Sequence, residues 1–392
     1  MRRLAALVLV TLFPLAACSS PSPTEADGAP PPQSGLRVEV VAGGLEHGWG
    51  LGFLPNGTAL VTQRSGALAL LTDNTAGAQA APVEADLGDV YAQGEGGLMG
   101  IAVHPDFARN RTFVTCQAHQ EDGSPVDVRL VKWRLADDGS SAQRVGEPLL
   151  TGIPLNSSGR HSGCRPAVAE DGSLLVSTGD SANPTTPQDR QSLGGKLLRM
   201  NIDTGEPPPD NPFADSPNPN ERLIYSYGHR NAQGVAVRPG GTVFLSEHGP
   251  DIDDEINRVE PGGNYGWDPS RGGTSDDYDE SVPMTDLQRF PDAVEAKWSS
   301  GEATEAIAGA SFLTGDQWGA LDGMLAVVAL KGSKLMLFRL DDAGEVRELA
   351  IPPELDDTHG RLRGAQQGPD GALYVTTSNG SDDKVLRVTP RS

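Results

Sequence analysis

The chain has 392 residues and a formal net charge of −22. Its length accommodates one large domain or two or three of ordinary size. So acidic a chain repels the phosphate backbone, which argues against a nucleic-acid partner. Beyond the N-terminal run described next, no apolar stretch approaches the length that a membrane-spanning helix needs.

The N-terminus is typical of an exported lipoprotein. Two arginines precede an apolar run over residues 4–15, which is too short to span a membrane and leads into LAAC. This ending resembles the lipobox of bacterial lipoproteins. We therefore predict a signal peptide over residues 1–17, cleavage before Cys18, acylation of its thiol and a disordered tether over residues 18–35. The domain would be extracytoplasmic and held at the bacterial membrane by its lipid anchor only. A plain signal peptide with an incidental cysteine is the alternative.

One phrase, a tight turn followed by a β-rich run, recurs six times along the rest of the chain. It reads LPNGTALVTQ from Leu54, HPDFARNRTFVTC from His104, AEDGSLLVSTG from Ala169, RPGGTVFLSEHG from Arg238, LDGMLAVVALKG from Leu321 and GPDGALYVTTSN from Gly368. Successive starts lie 50, 65, 69, 83 and 47 residues apart, which is too irregular for a solenoid and suits four-stranded blades. The sequence therefore predicts an all-β protein, a six-bladed β-propeller with long loops over one face, as one domain over residues 36–392. A pair of β-sandwiches is the alternative.

Two cysteines remain once Cys18 is assigned to the lipid. An exported protein can join Cys116 to Cys164, although their spacing alone does not show it. We expect a disulfide that braces the loop containing Cys164 against the preceding blade, with a free buried thiol as the alternative.

Glycine-rich segments flank the predicted strands, where a propeller carries its ligand-binding loops. His161, in HSGCR, is the candidate general base because imidazole titrates near neutrality. Arg230, in GHRN, offers donors for a carboxylate or a developing oxyanion. Arg361 and Arg363 lie two residues apart on an extended segment, so they point to one side and could clamp an anion. A loop histidine bonded to a carbonyl and a pair of surface arginines are the alternatives.

The segment EHGPDIDDEIN presents four carboxylates in five positions after a Gly-Pro turn. Hard oxygen ligands of this kind suit Ca²⁺, and a solvated acidic loop is the alternative. The sequence has no HExxH, no Cys/His zinc cluster, no GxSxG and no phosphate-binding loop. The absence of these motifs argues against a metalloprotease, an esterase or a nucleotide-binding protein.

In order along residues 38–390, the chain resembles the glucose/sorbosone dehydrogenase family of soluble quinoprotein glucose dehydrogenases and aldose sugar dehydrogenases. The resemblance rests on HGWGLGFLPNG, GEGGLMGIAVHPDF, HSGCR, GGKLLRMNIDTG, PDNPF, YSYGHRNAQG, EHGPDIDDEINRVEPGGNYGW and RLRGAQQGPDGALYVTTSN. It implies a six-bladed propeller that holds pyrroloquinoline quinone (PQQ) and a bridging Ca²⁺ over its channel.

The resemblance also implies roles for single residues. His161 matches the catalytic base, and Arg230 and Asn231 match the pair that contacts the quinone, with Arg230 near the reactive carbonyl. Glu95 stands where some members have glutamine. The remaining matches are the carbonyls of Gly249 and Pro250 as Ca²⁺ ligands, and Lys331, Arg361 and Arg363 as partners of the cofactor's carboxylates.

The implied activity is oxidation of an aldose at its anomeric carbon to a lactone, with electrons passed to an external acceptor. A Ca²⁺-dependent propeller lactonase is a second hypothesis, against which the arginine pair argues. A non-catalytic lipoprotein that binds glycans or proteins is a third, in which His161 and Arg230 could change without loss of function. The chain departs from the family pattern at Cys164, at EAIAGASF (305–312) and in the acidic stretch TSDDYDE (274–280), which could alter access to the pocket.

Overall fold

The computed structural model describes residues 35–272 and 277–391. The predicted signal peptide, Cys18 and all of the predicted tether except residue 35 lie outside the described residues. Contacts divide the chain into residues 1–33 and a compact unit over residues 34–392. Within the described residues, no helix is long and apolar enough to cross a membrane.

The described secondary structure is almost entirely β. In chain order, the strands are β1 (Leu36–Leu45); β2 (Gly48–Phe53), β3 (Ala59–Gln63), β4 (Ala67–Leu71) and β5 (Ala80–Val83); β6 (Leu98–Val103), β7 (Thr112–Glu121), β8 (Ser124–Leu135), β9 (Ala142–Arg144) and β10 (Leu150–Ile153); β11 (Arg165–Val168), β12 (Ser173–Ser177), β13 (Lys196–Asn201) and β14 (Ile224–Tyr227); β15 (Ala232–Val237), β16 (Val243–Glu247), β17 (Glu255–Arg258) and β18 (Trp298–Ser299); β19 (Ile307–Phe312), β20 (Leu325–Ala329), β21 (Leu335–Leu340) and β22 (Val346–Ala350); β23 (Leu362–Gln367), β24 (Leu373–Thr377) and β25 (Asp383–Pro390). The helical elements are α1 (Phe107–Asn110), α2 (Pro219–Leu223) and two 3₁₀ turns, Asp316–Leu321 and Pro353–Leu355.

These strands form six antiparallel sheets, each with its strands in chain order from the first to the last. The second sheet has β9 as an additional strand beside β8. The sixth sheet is closed by β1, which pairs with β25 so that Leu36 lies opposite Pro390. Joining the two ends of the chain in one blade removes the free edges of the ring. The six-bladed propeller is therefore confirmed, and the pair of β-sandwiches is excluded.

The recurring phrase is the turn and second strand of each blade. In the first blade, the amide of Gly57, at φ +91°, donates to the carbonyl of Leu54 and closes the turn before β3. Second strands such as β16 and β20 are buried at every residue, because sheets of neighbouring blades cover both of their faces. This burial explains why the phrase reads as a continuous apolar run instead of a strict alternation.

The first strands of the blades surround the central channel: β2, β6, β11, β15, β19 and β23. Glycine allows these strands to lie close together, since a Cβ on Gly234 would lie 2.5 Å from the carbonyl oxygen of Ala308. A cavity of about 630 Å³ lies along their C-terminal halves, among Phe53, Val103 and Phe312. Glu95, His161, Arg230, Asn231 and Arg361 precede the N-terminal ends of the same strands, and Arg363 is the second residue of β23. Gly249, Pro250 and Lys331 follow second strands, whose C-terminal ends lie at the same side because the sheets are antiparallel. They therefore gather at the other end of the channel, which we call the site end.

Candidate active site

His161 lies in the loop that leads into β11, with its side chain only 5% exposed. Its Nδ1 lies 2.8 Å from Oδ1 of Asp180, which follows β12 of the same blade. Because a carboxylate only accepts, this contact holds the proton on Nδ1 and leaves Nε2 as the free acceptor. Nε2 makes no hydrogen bond with any residue that the structure describes. This orientation is compatible with the general-base role predicted for His161.

Asp180 is fully buried and accepts several hydrogen bonds besides that of His161. Its donors are Nε1 of Trp267 at 2.9 Å, the amide of Ala182 at 2.7 Å and the hydroxyl of Tyr278 at 2.5 Å. Burial and the charge of Asp180 raise the pKa of Tyr278, so its hydroxyl remains a donor. These bonds fix the carboxylate and, through it, the plane of the imidazole.

Arg230 lies before β15, with its side chain 4% exposed. Its terminal nitrogens donate to the carbonyl of His248 at 2.8 Å and to Oε1 of Glu280 at 2.5 Å. Burial alone would lower the pKa of Arg230, but the neighbouring acidic groups, Asp180 and Glu280 among them, raise it. Its buried Nε has no partner among the described residues. Arg230 therefore presents a permanent positive charge with one donor unused.

Glu95 connects the loops of three blades. It accepts the backbone amide of His161, Nδ2 of Asn231 at 3.0 Å and Nε2 of Gln233 at 3.2 Å. The Oδ1 of Asn231 in turn accepts the amide of Gly163 at 3.2 Å. The structure thus brings Glu95, His161 and Asn231 together, and both ends of the Asn231 amide are engaged within the protein.

Arg363 and Arg165 flank the indole of Trp49 at the mouth of the channel. Their guanidinium carbons lie 5.5 and 4.1 Å from the ring centroid. Burial, together with the charge of Arg363, lowers the pKa of Arg165 to about 9, and burial lowers that of Arg363 to about 10. The buried Nε1 of Trp49, one terminal nitrogen of Arg165 and Nε of Arg363 have no partners among the described residues. This region carries positive charge that the protein itself does not neutralise.

Arg361 and Arg64 extend this positive region to the rim. Arg361 is exposed just before β23, and Arg64 is half-buried just after β3. Burial and the charge of Arg361 lower the pKa of Arg64. The sequence analysis missed Arg64 and also Asp180. Both come shortly after the second strand of a blade, as His248 does. Searching for polar residues at that position of the recurring phrase could have identified them.

Gly249 and Pro250 form the turn after β16. The Gly249 amide donates to Oδ1 of Asp254 at 2.9 Å, and a Cβ on this glycine would overlap the carbonyl oxygen of Ile252. Asp254 is fully buried and also accepts from Thr304. The turn is therefore held rigidly by the protein's own carboxylate.

The other carboxylates of this loop do not form a side-chain metal site. Burial and the charge of Glu247 raise the pKa of Glu255 to about 8, and Glu255 bonds to Asn257 and Thr285. Among the described residues, no group of three or more His, Cys, Asp or Glu side chains could hold a metal ion. A cation at this turn would need backbone carbonyls as ligands.

Lys331 differs from the buried site residues in its exposure. It is exposed in the loop after β20, and it makes no hydrogen bond or ion pair with the part of the chain that the structure describes. Its neighbour Lys334 instead pairs with Glu305 at 3.2 Å, at the start of the segment that departs from the family pattern. The structure thus shows Arg363 in the channel and Lys331 in solvent.

Cys116 of β7 and Cys164, three residues after His161, form a disulfide with their Cα atoms 6.1 Å apart. Both side chains are fully buried in the apolar layer between the second and third blades. The unusual cysteine of HSGCR therefore anchors the loop of the candidate base to the neighbouring blade.

The described part of the acidic stretch 274–280 lies over His161, whereas residues 274–276 lie outside the described residues. The hydroxyl of Tyr278 is 3.2 Å from Nδ1 of His161, and Glu280 pairs with Arg230 and with Arg160 at 2.5 Å each. The sequence predicted an effect on access here without naming either residue. Their contacts come from a long insertion, whose path the sequence pattern does not indicate.

The site end of the propeller thus combines an oriented candidate base with guanidinium groups that the protein leaves without carboxylate partners among the described residues. A base suits proton transfer, and the guanidinium groups suit an anionic ligand. The sequence model of the Glucose / Sorbosone dehydrogenase family matches residues 45–387. The chain is 32% identical over 366 residues to the aldose sugar dehydrogenase YliI of Escherichia coli (strain K12), covering 91% of this chain and 94% of that one. The chain therefore belongs to the glucose/sorbosone dehydrogenase family, and its predicted assignment is confirmed.

Solved structures agree with this assignment. The PQQ-bound aldose sugar dehydrogenase of Streptomyces coelicolor has 29% identity and a TM-score of 0.72, covering 93% of this chain and 100% of that one. The apo-form of the soluble aldose sugar dehydrogenase of Escherichia coli has 32% identity and a TM-score of 0.77, covering 91% and 100%. The protein is thus a dehydrogenase with the fold of these enzymes.

Proposed function

We propose that the protein oxidises aldose sugars at the anomeric carbon to lactones, with PQQ and Ca²⁺ as cofactors and an external electron acceptor. The observation that carries this proposal is the positive region formed by Arg64, Arg165, Arg361 and Arg363 beside the oriented base His161. In a chain of net charge −22, unneutralised arginines around a channel mouth indicate an anionic ligand.

The residues present fit PQQ, which is planar and carries three carboxylates. Arg361, Arg363 and Arg64 would hold the carboxylates, together with the exposed Lys331. The unpartnered buried nitrogens of Trp49, Arg230 and Arg363 match a ligand rich in acceptors. When bound, PQQ supplies the acceptor for the anomeric hydrogen and its electron pair.

The chain's own residues supply the proton chemistry. Nε2 of His161 would take the proton of the anomeric hydroxyl while the C1–H bond breaks. Asp180, bonded to Nδ1, stabilises the resulting imidazolium and keeps the ring in place. Arg230 places a fixed positive charge where negative charge develops, in a setting from which water is largely removed.

Ca²⁺ is proposed to bind the carbonyl oxygens of Gly249 and Pro250. Support comes from the rigid turn held by Asp254 and from the exposed Asp251, which adds negative charge nearby. The lipid anchor at Cys18 likewise stays a proposal. Replacing Cys18 with serine should release the protein from the membrane fraction, and an unchanged distribution would contradict the anchor.

The central experiment uses the protein without its first 35 residues, supplied with PQQ and Ca²⁺. We expect several aldoses to reduce an artificial dye and to change the quinone absorbance. Absence of both responses would reject the proposal. Hydrolysis of lactones without PQQ would favour a lactonase, and sugar binding without turnover would favour a non-catalytic glycan-binding protein.

Replacing Arg363 with glutamine should weaken PQQ binding by between about tenfold and a hundredfold, as expected for losing a buried charge-assisted hydrogen bond. The same change at Arg361 should have a smaller effect, because water and salt screen that exposed side chain. PQQ titration followed by fluorescence measures both. Arg347→Gln, which removes an exposed arginine on β22, is the control and should bind normally. Equal affinity of the Arg363 variant and the wild type would contradict the assignment.

A further inference from the structure

Glu280 joins two arginines on either side of the candidate base. Its Oε1 lies 2.5 Å from a terminal nitrogen of Arg230, and its Oε2 lies 2.5 Å from one of Arg160, the residue directly before His161. The guanidinium of Arg160 also lies 5.5 Å from the ring centroid of Tyr278. We call this arrangement the Glu280 bridge. It spans the opening above His161 and comes entirely from described residues.

The bridge controls the charge at this opening. Without Glu280, Arg160 and Arg230 would present two positive charges beside the place where a substrate meets His161. The charge of Arg230 is weakly screened because its side chain is only 4% exposed. Although burial opposes it, the hydrogen bonds and charges of Arg230 and Arg160 lower the pKa of Glu280, which therefore remains ionised.

The role of Glu280 differs from that of the arginines around Trp49. Among the described residues, those arginines form no ion pair with a carboxylate, although the charge of Glu95 acts on Arg363, so they are available to an anionic cofactor. Arg160 and Arg230, by contrast, share the Glu280 carboxylate, which offsets one of their two positive charges. The site end thus has one region that attracts anions and a second, above the base, where Glu280 reduces that attraction and itself repels them.

We propose that Glu280 is a specificity-determining residue that restricts the site to neutral sugars and rejects anionic ones such as uronic acids. The inference rests on the proposed aldose oxidation. A uronic acid has the same anomeric centre as its parent aldose, so the O1–H and C1–H bonds that break are the same and only the distant carboxylate differs. Rejection by a like charge is a common means of discrimination between such substrates.

The test compares D-glucuronate with D-glucose in the Glu280→Gln variant, loaded with PQQ and Ca²⁺. The ratio of kcat/KM for glucuronate to that for glucose should rise by at least about tenfold over the wild type, the scale of one partly screened charge contact. Since both substrates are measured on the same enzyme, incomplete loading or partial unfolding cancels from the ratio. The gain should shrink as ionic strength is raised.

Three further variants test whether the effect depends on the charge of residue 280, on its position and on Arg160. Glu280→Asp retains the charge and should keep the wild-type ratio, and Glu302→Gln removes an exposed carboxylate before β19 and should also keep it. Adding Arg160→Gln to Glu280→Gln should reduce the gain without abolishing it, because the weakly screened charge of Arg230 remains. An unchanged ratio in Glu280→Gln, or an equal gain in Glu302→Gln, would overturn the proposal.

The outcome is separable from failure of the proposed function. If the wild type oxidises no aldose, the proposed function fails, and the charge effect is then measured by calorimetric binding of glucuronate and glucose to the same variants. Tighter glucuronate binding by Glu280→Gln alone supports the bridge as a charge filter. Unchanged glucuronate binding refutes it.

Discussion

Replacing His161 with alanine is expected to lower kcat by about a thousandfold, within the range that general bases contribute. The physical reason is that Nε2 is the acceptor that Asp180 leaves free beside the Arg230 charge, and alanine offers none. PQQ should still bind, because the arginines that would hold its carboxylates are untouched. Turnover with saturating aldose and PQQ titration followed by absorbance measure the two effects separately.

The matched control is His104→Ala. This imidazole is also nearly buried and faces a carboxylate, Asp203 at 3.4 Å, but it follows β6 and so lies away from the site end. Its loss should leave kcat near that of the wild type. Normal turnover by the His161 variant would show that another group removes the proton, whereas loss of PQQ binding would place His161 mainly in the cofactor site.

Replacing both Cys116 and Cys164 with alanine should lower the free energy of unfolding by about 4 kcal/mol. The disulfide joins residues 48 apart, and closing a loop of that size restricts the unfolded chain by this order. Lost packing of two buried sulfur atoms would add to the effect. Urea unfolding of the two proteins, with equal slopes against urea concentration, measures the difference.

The same variant tests the link between the disulfide and the site. Cys164 lies three residues from His161, so we expect kcat to fall while the propeller remains folded. Cys18→Ser, which removes the cysteine outside the described residues, serves as the control and should unfold like the wild type. Equal stability of the double alanine variant and the wild type would show that blade packing alone holds this loop.

The fold was predictable because each blade repeats one local pattern. A turn such as Pro55–Gly57 and an apolar second strand recur six times, and local turn chemistry does not depend on distant residues. The ring closure was not apparent in this pattern. It depends on β1 pairing with β25, across more than 300 residues, and the sequence pattern of either strand is compatible with many partners.

The candidate site was predictable where a residue's chemistry is unusual for its place. His161, Arg230 and Arg363 stand out as titratable or charged groups within glycine-rich loops. Lys331, which the resemblance assigns to the cofactor, is exposed, and its role stays a prediction. Glu95 has more contacts than the resemblance implied, because its carboxylate accepts from residues of two other blades, His161 in one and Asn231 and Gln233 in the next.

The sequence by itself therefore determined the class of fold and the family, and it singled out His161 as the candidate base, because these depend on local patterns and on residue type. Only the tertiary structure decided which groups act on that base. Trp267 and Tyr278, both in the connection between β17 and β18, reach Asp180 from 87 and 98 residues away. Glu280 reaches Arg230 across 50 residues and Arg160 from the far side of the same opening. Hydrogen bonds and charge pairs act over a few ångströms, so the path of the loops, which no local pattern indicates, determines them.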